Sequence, residues 1–185
     1  MVLYRVYDKN RNYLFDISGK KASSLTPVEY LEFVSCLVIR KGSGKIVTEV
    51  RNSKKDGGGL YDFCSGHLNY DETHRQAVVR ELEEELGIPE NISNPSVVSI
   101  GSITLRKANQ FLDHGCFIEI FTLTIPENLQ LKKQVSEVAS IKELPFSAVR
   151  KLLESNQFLF PFNPDTKAFL KQIESRLIDL GLATI

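Results

Sequence analysis

The sequence predicts an α/β fold in which a mixed β-sheet carries helices on both faces and is preceded by an N-terminal β-hairpin. Short apolar and aromatic runs separated by turn residues recur along most of the chain and are typical of strands. A stripe of apolar residues at helical spacing occupies 74–86, and two more helical segments end the chain. Strands interspersed with helices in this way favour a sheet that is covered on both faces.

The N-terminal segment 1–20 is expected to form the hairpin. Residues 3–7 and 13–17 are apolar or aromatic except for Arg5 and Asp16, and the polar segment DKNRN between them supplies the turn. A loop is expected at 20–27, before the first long apolar run of the chain.

The main strands follow from apolar runs that end at turn residues. The run at 33–40 is apolar except for Ser35 and its last residue, Arg40, and the GSG turn at 42–44 lets the chain return. Further strands are expected at 46–50, 97–105, 116–125 and 135–141. Two helices, at 146–155 and 165–180, are expected within the C-terminal segment 145–185.

Length and charge fit one compact domain over 1–185. Lys and Arg together number 23, as do Asp and Glu, so no excess positive charge attracts nucleic acid or an anionic membrane. No apolar run approaches a membrane span, and the first residues lack the basic-then-apolar order of a signal peptide. We therefore expect a cytoplasmic protein without specific nucleic-acid or membrane partners, and the sequence leaves a homodimer open.

The helix predicted at 74–86 has the clearest boundaries. Thr73, followed three residues later by Gln76, predicts an N-cap with a capping box, and Gly87 predicts the C-terminal end. The apolar stripe between them consists of Ala77, Val78, Leu82 and Leu86. One helix is therefore expected to bury this stripe against the sheet.

Three carboxylates are expected on one face of this helix. At about 100° per residue, Glu81, Glu84 and Glu85 fall within an arc of roughly 100°, whereas Glu83 points to the opposite side. Such carboxylates repel one another by roughly 1 to 4 kcal/mol per pair near a protein surface. A divalent cation removes that cost, and Mg²⁺ suits oxygen ligands and phosphate substrates. The alternative is a solvated acidic face, as on most Glu-rich helices.

The wider spacing favours the metal site. Residues 66–88 satisfy G-x5-E-x7-R-E-U-x-E-E-x-G-U, where U is aliphatic, and so resemble the Nudix box without a departure. Its positions are filled by Gly66, Glu72, Arg80, Glu81, Leu82, Glu84, Glu85, Gly87 and Ile88. The resemblance implies the Nudix α/β/α sandwich, with 66–88 as the loop and helix of its site.

The Nudix resemblance implies metal-dependent hydrolysis, by water attack, of the diphosphate that links a nucleoside to another group X. Mg²⁺ is the expected cofactor, with Mn²⁺ as a substitute. Glu84 and Glu85 are the expected ligands, and the Gly66 carbonyl is expected to complete the shell. Glu81 is either a third ligand or the general base.

The identity of the general base stays open. Glu81 is favoured because it lies one turn before the expected ligands on the same helix face. Nudix families differ in where the base lies, so Glu119 and Glu137 are the alternatives.

Other residues of the box are expected to act on their neighbours. Arg80 is counted with the catalytic residues, and its expected contribution is a charged hydrogen bond that holds a glutamate in position. Glu72 precedes the N-cap, where negative charge favours the helix dipole, and Gly87 ends the helix. Both are therefore expected to be structural.

Candidate substrate-binding residues lie outside the helix. Arg51, Lys54 and Lys55 form a basic cluster after a predicted strand and are suited to diphosphate oxygens, with solvated loop charge as the alternative. His67, beside the first glycine of the box, is a further candidate, and a packing role is its alternative. The expected partner is a small diphosphate derived from a nucleotide.

The first half of the chain also resembles the branch of Nudix proteins related to isopentenyl-diphosphate isomerase, through YDKNRN, RNSKK and YDFCSGH. The isomerase carries a catalytic cysteine directly before the glycine and histidine of its box-like segment. Here Ser65 holds that position and Cys64 is one residue too early, which disfavours the isomerase. An isomerase and a catalytically silent Nudix-like binding module remain the alternatives to a hydrolase.

Overall fold

The structure, a computed structural model, describes residues 2–106 and 113–182, without the side chain of Asp165. The outer ends of the predicted segments 1–20 and 145–185 lie outside these residues. The described strands are β1 (Leu3–Tyr7), β2 (Tyr13–Ser18), β3 (Tyr30–Arg40), β4 (Ile46–Arg51), β5 (Tyr61–Asp62), β6 (Cys64–His67), β7 (Val98–Leu105), β8 (Gly115–Ile125) and β9 (Val138–Leu144). The helices are α1 (His74–Leu86), α2 (Glu90–Ser96), α3 (Phe146–Glu154) and α4 (Pro164–Asp179). Within this described part, none of the helices combines the length and apolar character needed to traverse a bilayer.

The sheet is organised around β3. One edge of β3 pairs with β8 in parallel over its whole length, from Tyr30 opposite Gly115 to Arg40 opposite Ile125. The other edge pairs antiparallel with three strands in succession, β1, β6 and β4. Since β4 in turn pairs with β5 and β9, parallel and antiparallel pairs coexist. The predicted α/β class with a mixed sheet is confirmed.

Alternate side chains of β3 supply two cores, one on each face of the sheet. Leu37 and Ile39 pack in a cluster with residues of α3 and α4. Cys36 and Val38 pack in a second cluster with the apolar stripe of α1. This alternation is the period-2 pattern of a strand that is buried on both faces. The sheet is therefore sandwiched between α1 on one side and the C-terminal helices on the other.

Capping residues set both ends of helix α1. The Thr73 hydroxyl accepts a hydrogen bond from the Gln76 N–H at 3.3 Å, and the Gln76 carboxamide oxygen accepts one from the Thr73 N–H at 2.9 Å. Gly87 ends the helix with φ at 64°, a left-handed conformation that glycine adopts without strain. The fixed ends of α1 thereby set the positions of its carboxylates, and Glu81 and Glu85 contact β6.

Several elements differ from the prediction. A short 3-10 helix, Gly19–Ser24, occupies part of the expected loop at 20–27. Strands β5 and β6 and helix α2 were missed, because two- and four-residue strands carry little periodicity and α2 contains Pro95. The strand expected at 135–141 is displaced to β9, since the Gln134 carbonyl accepts hydrogen bonds from Glu137 and Val138 in a turn.

Candidate active site

A cavity of about 600 Å³ lies where α1, β6 and the N-terminal hairpin meet. Its walls combine apolar side chains from distant parts of the chain with most of the charged residues of the Nudix-like box. The lining residues are Val2, Tyr4, Phe33, Arg51, Lys55, Ser65, Gly66, His67, Asn69, Arg80, Glu81, Glu84, Glu85, Gln134, Glu137 and Leu159. A cavity of this size accommodates a small ligand.

Glu81 lies directly against the backbone of Gly66. A Cβ atom built on Gly66 would stand 1.8 Å from the Glu81 Oε1 atom, so no side chain fits there while the carboxylate keeps its position. Glu81 is only 8% exposed. Glycine at position 66 therefore allows a buried carboxylate to approach the main chain of β6.

The other two carboxylates of the face differ in environment. Glu85 is as buried as Glu81, and its Oε2 atom accepts a hydrogen bond from the Ser65 N–H at 3.2 Å. The Glu84 side chain is 48% exposed. The three predicted ligands thus line one cavity, with Glu81 and Glu85 buried and Glu84 the most exposed of the three.

Arg80 is the cation that holds this cluster together. Its guanidinium donates to both oxygens of Glu72, at 2.6 and 3.0 Å, and to Glu81 Oε1 at 2.5 Å. It also donates to the His67 carbonyl at 3.1 Å and reaches Glu84 at 3.5 Å. Glu72 accepts a further hydrogen bond from the Asn69 N–H. Arg80 therefore links the loop before α1 to the carboxylates on the helix.

Two of the three predicted basic residues reach the cavity. Arg51 and Lys55 line it, whereas Lys54 is exposed and is absent from the lining residues. The Arg51 guanidinium contacts Asp62 at 3.5 Å and donates to the Asp56 carbonyl at 3.1 Å. Lys55 forms an ion pair with Glu137. The two cationic residues therefore come from the end of β4 and from the segment that follows it.

His67 lies in a stack of aromatic rings. The Tyr4 ring is parallel to it at 4.5 Å between centroids, and the Phe33 ring is at 4.1 Å on a tilt. Burial lowers the pKa of His67 to about 3, so the imidazole is neutral at physiological pH. Its Nε2 atom is buried and has no hydrogen-bond partner among the described residues. These ring contacts give His67 a packing role, which was the alternative to substrate binding.

The two alternative bases are separated by the fold. Glu137 also lines the cavity, where its carboxylate forms an ion pair with Lys55. Glu119 lies on β8 and accepts a hydrogen bond from Ser99 on β7. It is absent from the residues that line the cavity. The structure therefore brings Glu137, but not Glu119, together with Glu81.

Sequence reasoning missed two buried acids behind the cavity floor. Glu49 on β4 is 4% exposed and lies opposite Asp62 on β5, which is also buried. Asp62 accepts hydrogen bonds from the Phe63 N–H at 2.9 Å and the Ser65 hydroxyl at 3.1 Å. The available signal was a glutamate inside the apolar strand IVTEV, because buried charge in a strand usually has a partner.

Burial and mutual repulsion disfavour negative charge throughout this cluster. Burial raises the pKa of Glu81 to about 7 and that of Asp62 to about 6. Burial, and next the charge of Glu49, raise the pKa of Glu85 well above its usual range. Hard divalent cations prefer such oxygen donors, and one Glu49 oxygen has no hydrogen-bond partner among the described residues. The donor set therefore fits Mg²⁺ or Mn²⁺.

Cys64 is adjacent to these acids but has the wrong environment for a nucleophile. It is 1% exposed, and burial followed by the neighbouring Glu85 charge raises the pKa of its thiol. A thiolate is the reactive form, and nothing here stabilises it. Ser65, which occupies the position of the isomerase cysteine, donates to Asp62 instead.

The family of this chain is shown by comparison with known proteins. The NUDIX domain family model matches residues 31–165, and the chain therefore belongs to the Nudix family. The predicted membership of the Nudix family is confirmed. One relative, the CTP pyrophosphohydrolase of Escherichia coli (strain K12), is 43% identical over 61 residues. This match covers 33% of the chain and 44% of that enzyme.

Solved structures show the same fold. A Deinococcus radiodurans protein, DR0079, matches with a TM-score of 0.69 at 13% identity, over 92% of this chain and 98% of that one. The NUDIX domain of Shewanella oneidensis NrtR, which was solved with ADP ribose, matches with a TM-score of 0.59 at 18% identity, over 80% and 88%. Identities this low establish the shared fold alone.

The raised pKa of Glu81 predicts a pH-dependent stability of the metal-free protein. Between the ordinary glutamate pKa of about 4.3 and its raised value of about 7, folded Glu81 keeps a proton that the unfolded chain has released. Its stabilising contribution is present at low pH and is lost as pH rises through 7. Thermal unfolding in EDTA should therefore show Glu81→Gln gaining stability relative to wild type as pH rises from 5 to about 7.

The histidines do not disturb this comparison, because both proteins contain them. Glu83→Gln, on the exposed face of α1, is the matched control and should show no pH-dependent difference from wild type. A melting-temperature difference for Glu81→Gln that stays constant from pH 5 to 8 would contradict the assigned environment.

Proposed function

We propose that this protein is a metal-dependent hydrolase that cleaves a phosphoanhydride bond in a small nucleotide-derived diphosphate of the nucleoside diphosphate-X type. The observation that carries the proposal is the convergence of the carboxylates of α1 on a cavity that Arg51 and Lys55 also line. Diphosphate oxygens need cations, and water attack needs a base and charge neutralisation. We also propose a cytoplasmic location, supported by the buried free thiols of Cys36, Cys64 and Cys116.

In this proposal the carboxylates of Glu84 and Glu85, with the Gly66 carbonyl, would hold the metal, and Glu81 is either a third ligand or the general base. Mg²⁺ or Mn²⁺ held by these residues would supply charge neutralisation at the diphosphate and lower the pKa of the attacking water. Arg80 acts as a positioning residue, because its guanidinium is engaged by Glu72 and Glu81. Glu72 fixes Arg80, and Gly87 fixes the end of the helix.

The substrate is held by the cationic wall. Arg51 and Lys55 line the cavity, where Arg51 contacts Asp62 and Lys55 contacts Glu137. The oxygens of a bound diphosphate would replace these carboxylates as partners of the two cations or bind beside them. His67, Tyr4 and Phe33 present an aromatic wall beside them. The E. coli relative is named for pyrophosphohydrolysis of CTP, and the NrtR domain was solved with ADP ribose. Both names support a nucleotide-derived substrate.

Removing a proposed metal ligand should abolish most of the turnover. Glu84→Gln and Glu85→Gln each keep the side-chain volume and remove a charge, so we expect kcat to fall by at least about tenfold with Mg²⁺. The assay measures release of phosphate-containing products from CTP, ADP-ribose, dinucleoside polyphosphates and sugar nucleotides. Glu83→Gln is the control and should retain wild-type turnover. Wild-type rates in both ligand variants would refute the site.

The general base can be identified by separating turnover from metal affinity. If Glu81 accepts the proton, Glu81→Gln should lower kcat strongly while Mn²⁺ affinity changes modestly. Glu137→Gln should then lose less than Glu81→Gln, because its carboxylate is paired with Lys55. Equal loss of turnover and Mn²⁺ affinity in Glu81→Gln would make Glu81 a ligand. A near-normal rate in that variant would transfer the base to Glu137.

We propose that the chemistry is hydrolysis and not the isomerisation that the resemblance to the isomerase-like branch leaves as an alternative. Cys64→Ser should leave diphosphate hydrolysis within about threefold of wild type, because water and not a thiolate attacks. Incubation with isopentenyl diphosphate should give no dimethylallyl product. Loss of activity in a folded Cys64→Ser protein, or formation of that product, would support an isomerase. Metal binding without hydrolysis of any diphosphate would support a silent binding module.

A further inference from the structure

Glu49 is an anomaly in the middle of the sheet. It projects from β4 towards the α1 side, where Val47 of the same strand joins the α1 core. Its Oε1 atom is inaccessible to solvent and has no hydrogen-bond partner among the described residues. Buried carboxylates normally have partners, since an uncompensated one costs several kcal/mol. A buried acceptor without a partner indicates a ligand that the protein alone does not supply.

The cations near Glu49 are engaged elsewhere. Arg51, two residues along β4, contacts Asp62 and the Asp56 carbonyl. Arg80 is bound to Glu72 and Glu81. Among the described residues, no Lys or Arg forms an ion pair with Glu49.

The surroundings of Glu49 have the dimensions of a cation site. Single ligand atoms of Glu49, Glu85 and Cys64 all lie within 4.8 Å of one another. Glu85 also lines the cavity wall, whereas Glu49 is buried and is absent from the lining residues. The carboxylate of Glu85 therefore connects the cavity to an inner position that sequence spacing did not indicate.

We propose that Glu49 is an additional metal ligand and that, together with Glu85, it holds a divalent cation at an inner position beneath the cavity floor. The proposal rests on the metal-dependent function proposed above and extends the ligand set beyond the helix to strand β4. Two of the three atoms at this position are carboxylate oxygens, which select Mg²⁺ or Mn²⁺. Cys64 borders the position and is not a ligand of these hard cations.

The test measures metal binding directly, without an activity assay. Mn²⁺ is titrated into the full chain, and bound and free ion are distinguished by electron paramagnetic resonance, with isothermal calorimetry for affinity. Glu49→Gln should bind Mn²⁺ at least about tenfold more weakly, or bind fewer ions per chain. Glu83→Gln and Cys64→Ser should both bind as the wild type does. Binding by Glu49→Gln that equals wild type would overturn the inference.

Other outcomes separate this inference from the proposed function and from misfolding. If the wild type binds no Mn²⁺, the proposed function fails. If it binds Mn²⁺ and Glu49→Gln binds equally, only the role of Glu49 fails. If Cys64→Ser loses as much affinity as Glu49→Gln, the position is a thiolate site and the inference also fails.

Folding is checked in EDTA by circular dichroism. Glu49→Gln should fold and melt no lower than metal-free wild type, because the amide keeps the side-chain volume and cannot become negatively charged beside Glu85 and Asp62. Glu49→Asp keeps the charge and withdraws the oxygen atoms by one methylene, so it should also weaken Mn²⁺ binding. Should the Gln variant fail to fold, unchanged Mn²⁺ binding by the Asp variant would overturn the inference.

Discussion

The repulsion among buried carboxylates is the constraint on which the rest of this structure depends. Glu49, Asp62, Glu81 and Glu85 are each less than a tenth exposed and lie around one end of α1. Arg80 compensates part of this charge from the helix side. A fold that concentrates acids in this way is stable only if protons or a divalent cation complete the balance. Metal affinity and fold stability are therefore expected to be linked in this protein.

Local sequence was sufficient to predict the helix that carries the site. Thr73 and Gly87 define its ends through capping chemistry that needs only neighbouring residues. The order of the acids along a helix also fixes which face they share. The Nudix-like spacing then supplied the chemistry, because a pattern of fixed offsets cannot arise from composition alone.

Long-range assembly was not predictable in the same way. Glu49 lies next to Glu85 only because of long-range strand pairing. Strands β4 and β6 both pair with β3, and β5 pairs with β4. The choice between Glu119 and Glu137 likewise depends on which strand faces the cavity, and no local pattern specifies it. The N-terminal hairpin was predicted as an element, but the stacking of Tyr4 on His67 is a tertiary contact. Side-chain convergence from separate strands is the information that a single sequence lacks.

The most direct test is a crystal structure of the protein grown with Mn²⁺, with anomalous scattering used to locate the ion. The account predicts anomalous density between the α1 carboxylates and Gly66, within coordination distance of Glu85, together with density at Glu49. Density only at exposed acids such as Glu83, or no density in the cavity at saturating Mn²⁺, would contradict the claim that this cluster is built around a metal.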